Sequence, residues 1–91
     1  MFHYVYVLQS KKDGRLYVGY TRNIFKRLKI HNKGLNYSTK KYTPWILIYF
    51  EGFLNQKDAL RREKYLKTNM GKRLLKLQLR EFLKNEKFEK I

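Results

Sequence analysis

Three groups of residues in this chain could act on a phosphate or a proton, and their spacing folds each group inward. The first is tyrosine. Tyr4-Val5-Tyr6 and Tyr17-Val18-Gly19-Tyr20 flank Lys11-Lys12-Asp13-Gly14, and Asp-Gly readily takes the positive φ of a hairpin turn, so the two segments read as antiparallel neighbours. A symmetric two-residue turn at Asp13-Gly14 pairs Tyr6 with Thr21 and Leu8 with Gly19. Tyr4, Tyr6 and Leu8 then share a face with Tyr17, Gly19 and Thr21, while Val5 and Val7 share the other with Leu16, Val18 and Tyr20. Gly19 leaves the tyrosine face open at its middle. That opening suits either the approach of a ligand or plain cross-strand aromatic packing.

The second group is Arg27 and His31. Ile24, Arg27, Leu28 and His31 stand at i, i+3, i+4 and i+7, the template of a core-facing helical stripe. Arg27 and His31 are one turn apart, so a guanidinium and an imidazole either point at the sheet together or snorkel from the edge of the stripe. The third group repeats the anomaly, because Ala59, Arg62, Glu63 and Leu66 fill the same template and turn a carboxylate inward. Glu63 needs a partner. Arg27 or Arg62 could supply an ion pair, or a hard divalent cation such as Mg²⁺ could sit on this one carboxylate and keep most of its waters.

The acids separate mechanisms. Asp13 lies in the turn, Asp58 starts a helix, and Glu81, Glu86 and Glu89 fall in the basic C-terminal stretch, which leaves Glu51 and Glu63 as candidate ligands. A two-metal site needs more carboxylates than that. Two histidines and no cysteine cannot assemble a zinc site, and no P-loop or nucleophilic triad is present.

The elements that must position these groups follow from the pattern. Strands are expected over Phe2 to Gln9 and Leu16 to Thr21, then a helix capped by Asn23, running to about Asn32 and stopped by Gly34. Residues 34 to 44 read as loop, and Trp45 to Phe53 as a buried third strand. Asn55 caps a helix over Gln56 to Lys67. Leu74, Leu75, Leu79, Phe82 and Leu83 then predict a helix from Lys72 to about Asn85. The order is ββαβαα, a single domain over residues 1–91.

Composition narrows the partner. Ninety-one residues build a small core, 43% of them hydrophobic, with eight Tyr, six Phe and one Trp to fill it. The absence of cysteine suits a reducing cytoplasm. The longest apolar run, Trp45 to Phe50, is far short of the roughly 20 residues of a membrane helix, and no signal-peptide pattern opens the chain. Twenty-two Lys and Arg against seven acids give a formal charge of +15. Such a charge attracts polyanions, nucleic acid first, with a ribosomal site or an anionic membrane surface as the bland alternatives.

Together the residues resemble the GIY-YIG nuclease superfamily, most closely its small bacterial members related to the nuclease domain of the DNA-repair excinuclease. The resemblance runs over roughly residues 2 to 76: Tyr4-Val5-Tyr6, Tyr17-Val18-Gly19-Tyr20-Thr21, the helix Asn23 to Asn32, and Ala59 to Lys67, like the family's metal-binding helix. It implies an α/β fold of the α+β kind, a small three-stranded antiparallel sheet flanked by helices, and metal-dependent hydrolysis of phosphodiesters in DNA. By the same resemblance Glu63 holds one Mg²⁺ or Mn²⁺, Arg27 steadies charge on the phosphoryl oxygens, and Tyr17 orients or deprotonates the attacking water, helped by Tyr6 and His31. An ordinary phenol titrates near 10, so a tyrosine base needs activation.

Relatives also carry an asparagine beyond the metal helix, for which Asn69 is the nearest here. Ser38, Thr39, Lys40 and Lys41 resemble a backbone-contacting loop, and Thr21, Lys26, Lys64, Lys67, Lys72 and Arg73 extend the nucleic-acid surface. A protein partner or a second copy stays open. The competing readings are a nucleic-acid- or ribosome-binding module without turnover, and a basic adaptor for an acidic protein.

Overall fold

The structure, a computed structural model, describes residues 1–85; Glu86 and Glu89 lie outside the described residues. Strands β1 (His3–Ser10) and β2 (Leu16–Thr21) form the hairpin, followed by α1 (Ile24–Asn32), a 3-10 turn at Lys40–Tyr42, and β3 (Trp45–Phe53). Helices α2 (Gln56–Leu66), α3 (Asn69–Gln78) and α4 (Arg80–Lys84) complete the order. The sheet is antiparallel in the order β2-β1-β3. Among the described residues no helix is long and apolar enough to cross a membrane.

The hairpin differs from expectation by two residues and keeps its faces. Tyr6 pairs with Gly19 and Val7 with Val18, because the turn spends four residues, Lys11 to Gly14, closing with Ser10 N–H to Arg15 O at 2.9 Å and Gly14 at φ 84°. A shift of two preserves which side chains share a face. The tyrosine face gathers Tyr6, Leu8, Ile24 and Trp45 with Tyr4, Tyr17 and Leu28 beneath α1. The valine face gathers Val5, Val7 and Val18 with Ala59, Leu66 and Leu75 beneath α2 and α3.

Two expectations are corrected. The apolar run of β3 predicted a buried strand, but only Trp45 in it is buried; β1 occupies the centre, paired on both sides, and β3 is an edge. The last predicted helix starts earlier and breaks. Thr68 caps α3 by accepting from the Gly71 N–H at 3.1 Å. At Leu79 the backbone leaves helical geometry; Leu79 packs onto the core, and the Arg80 guanidinium takes the Leu77 carbonyl at 2.7 Å.

Gly71 sits inside α3, where a Cβ would overlap the Tyr65 carbonyl oxygen and the Leu66 backbone. Backbone cannot yield as a side chain does. Gly71→Ala is expected to cost about 1–3 kcal/mol and to lower the melting temperature by about 5–20 °C, read by thermal unfolding.

Candidate active site

The tyrosine face carries a contiguous polar cluster in an apolar setting. Tyr6 Oη lies 2.9 Å from His31 Nε2, and His31 Nδ1 lies 2.7 Å from Thr39 Oγ1. Tyr17 packs its ring edge-on against His31, centroids 5.0 Å apart, and leans on Trp45 and Tyr6 at 6.2 and 6.4 Å. Local sequence explains the arrangement. Gly19 stands opposite Tyr6, and any Cβ there would overlap the phenol. The gap expected at Gly19 is therefore filled by Tyr6 itself.

Asn23 caps α1 by accepting from the Lys26 N–H at 3.1 Å, which sets the helix phase that sends His31 inward. Asn32 then clamps the far end to β3, its side chain accepting from Trp45 N–H at 2.6 Å and donating to Trp45 O at 3.0 Å.

The charges arrange themselves around the phenols. Arg27 is half-buried on α1 and makes no ion pair among the described residues. Glu63 reaches its own helix neighbour Lys67 at 3.1 Å, and the Lys67 ammonium stands 5.9 Å from the Tyr17 ring. Neither Arg27 nor Arg62 is its partner, because Arg62 binds Glu51 at 2.6 Å and Tyr49 donates to the same carboxylate. Burial pushes the Glu51 carboxyl up, but the Arg62 and Tyr49 hydrogen bonds outweigh it and hold the group below its ordinary value. Glu51 is thereby spent on structure.

Two titrations within the tyrosine cluster are moved. Burial, the neighbouring Tyr17 and the negative charge of Glu63 push the Tyr6 phenol well up, against the pull of Arg27. Burial and then Arg27 push the His31 imidazole down. Ordinary values near 10 and 6.5 already separate the pair, and both shifts widen the gap, so Tyr6 keeps its proton and His31 stays neutral near pH 7.

This couples the site to stability. Folding favours neutral His31, so its contribution is complete above the ordinary value of about 6.5 and drains away as pH falls toward the lower folded value. Melting temperature should fall from about pH 7 to about pH 5, and His31→Gln should lose that part of the slope. Equal acid sensitivity in the two proteins would contradict it.

Tyr6, Tyr17 and His31 are thus brought into contact, with the charges of Arg27 and Glu63 acting on the Tyr6 phenol. Other expected residues are placed differently. Thr39 is fully buried with its hydroxyl on His31, beneath the site and not on a backbone-facing surface. Thr21 is 6% exposed, and its hydroxyl bridges the Asn23 N–H and carbonyl to shape the start of α1. Lys26, Ser38, Lys40, Lys41 and Lys64 are exposed. Lys72, Arg73 and Lys76 line a groove of about 450 Å³ on α3, which packs on the opposite face, and Asn69 lies in that groove.

Lys67, expected on the nucleic-acid surface, pairs with Glu63, and Trp45 and Asn32 are contributors that residue spacing did not single out. These last two act through tertiary contact. Among the described residues no group of three or more His, Asp or Glu could hold a metal together. Glu63 fits a single-carboxylate cation, since its side chain is one-fifth exposed and its one ion-pair partner among the described residues, Lys67, is half exposed.

Comparison with known proteins places this geometry. Residues 2–76 match the GIY-YIG catalytic domain. A UPF0213 protein of Clostridium perfringens (strain 13 / Type A) is 41% identical over 92 residues, covering 97% of this chain and 95% of its own. Another, from Staphylococcus haemolyticus (strain JCSC1435), is 43% identical over 77 residues, 82% of this chain and 92% of its own. The solution NMR structure of a UPF0213 protein from Bacillus halodurans superposes with a TM-score of 0.51 at 36% identity, covering 82% of each chain. With the domain match spanning both tyrosine strands, α1 and α2, this chain belongs to the GIY-YIG family and stands beside the small bacterial UPF0213 proteins.

Proposed function

We propose that the chain is an endonuclease that hydrolyses phosphodiester bonds in DNA with one divalent cation, Mg²⁺ or Mn²⁺, held by Glu63. The observation that carries this reading is the contact of Tyr6, Tyr17 and His31 together with two charges that act on the Tyr6 phenol: Arg27, without a carboxylate partner among the described residues, and Glu63, whose only ion-pair partner there is Lys67. A binding module needs positive charge and has no use for that arrangement.

A cation on Glu63 would supply Lewis-acid polarisation of the scissile phosphate and stabilise the departing 3′ oxygen. The chain's own residues do the rest. Arg27 presents a planar fork to the non-bridging oxygens as charge builds there. Tyr17, pinned between His31 and Trp45, orients the attacking water and, once its phenol has given up its own proton to solvent, accepts the proton that the water loses. Tyr6 remains protonated and serves as a donor. The exposed lysines hold the backbone, so affinity falls steeply with salt. The cytoplasm, where nucleic acid and Mg²⁺ both abound, is the compartment this reading requires.

Supercoiled plasmid at low salt tests the proposal. Nicks that form with Mg²⁺ or Mn²⁺ and cease with EDTA uphold it. Plasmid that is bound and left intact would favour the binding module.

A further inference from the structure

Thr39 has a neighbour on either side of its hydroxyl, and their distances decide where its proton goes. His31 Nδ1 is 2.7 Å away; the Asn36 carbonyl is 3.5 Å away. That carbonyl already accepts two backbone N–H groups, from Thr39 at 3.2 Å and Lys40 at 3.0 Å. The hydroxyl proton therefore belongs to Nδ1.

We infer that Thr39 is a positioning residue that sets the direction of the His31–Tyr6 hydrogen bond, leaving the Tyr6 hydroxyl free to donate into the site. A neutral imidazole carries one proton, and with Nδ1 accepting from Thr39 that proton sits on Nε2, aimed at Tyr6 Oη 2.9 Å away. Tyr6 accepts it. Its own O–H then has no acceptor among the described residues and turns away from His31 toward the space shared with Tyr17. In the opposite arrangement Nδ1–H donates to Thr39, and Tyr6 spends its proton on Nε2. A phenol so engaged has nothing to offer a phosphate oxygen.

Burial makes the arrangement durable, since Thr39 and His31 are both fully buried and Tyr6 is 2% exposed. Water does not compete for these bonds. Thr39 is also anchored from behind, because its carbonyl accepts the Trp45 indole N–H at 2.9 Å. The same short loop carries the exposed Ser38, Lys40 and Lys41. The segment expected to grip the strand thus seats the Tyr6 phenol that serves as a donor in the proposed site. The catalytic consequence rests on the proposed phosphodiesterase; the hydrogen-bond direction does not.

Long-range ¹H–¹⁵N spectra of the histidine ring nitrogens near neutral pH test it on the intact chain. The expected result is His31 as the Nε2–H tautomer, a preference lost in Thr39→Val and restored in Thr39→Ser. In plasmid nicking, Thr39→Val should lower kcat about ten- to a hundredfold with KM unchanged, and Thr39→Ser should recover it. An Nδ1–H tautomer in the unmodified chain, or an unchanged tautomer in Thr39→Val, would overturn the inference whatever the activity. The expected tautomers without nicking by any of the three proteins uphold the hydrogen-bond direction and count against the phosphodiesterase alone.

Discussion

Glu63→Gln is expected to lower metal-dependent nicking by at least about 10³-fold, the loss that follows when several kcal/mol of transition-state stabilisation by a bound cation disappear. The substitution keeps shape and removes one charge. Its effect on folding is small, because the ion pair to Lys67 is half exposed on the lysine side and such pairs contribute less than about 1 kcal/mol. Single-turnover kinetics beside thermal melting separates the two quantities. A variant that nicks at the native rate would remove Glu63 from the mechanism, and Glu51 could not replace it, bound as it is by Arg62 and Tyr49.

Arg27→Ala lowers the same rate by about 10²–10³-fold, the effect of deleting one preorganised donor to a developing oxyanion. Arg27→Lys recovers only part of it, since a point charge lacks the planar fork. The alanine variant should also soften the acid limb of the melting profile, because the Arg27 charge is the second cause that depresses His31. Lost activity together with that altered limb would locate Arg27 beside His31. Unchanged activity would make the guanidinium a surface charge.

Much of this site can be read from side-chain periodicity, for reasons that individual residues make plain. Tyr6 and Tyr17 share a face because parity along a strand survives a register shift of two, so the longer turn from Lys11 to Gly14 changes the pairs and not the faces. Arg27 and His31 face the sheet side because helical phase is local, set by Asn23.

What periodicity cannot supply is which neighbour each polar group finds across the fold. Thr39 reads as a surface hydroxyl since nothing in residues 34 to 44 repeats, yet the turn at Gly34, φ 72°, folds it under His31. The spacing offers Glu63 two ion-pair partners, Arg27 and Arg62, and the lysine four residues on pairs with it instead of either. β3 reads as buried because apolar composition cannot say which strand takes the centre of a three-stranded sheet. The break at Leu79 falls inside a continuous helical apolar pattern, which records no interruption there.

The most direct test of the central claim is the chemistry at the cut. An end-labelled DNA duplex incubated with the unmodified protein and Mg²⁺ should yield 3′-hydroxyl and 5′-phosphate ends, as expected when water attacks phosphorus and the 3′ oxygen departs. EDTA should abolish the products and added Mg²⁺ restore them. Intact duplex, cleavage that persists in EDTA, or 3′-phosphate ends would contradict a one-metal phosphodiesterase built on Tyr17, Arg27 and Glu63.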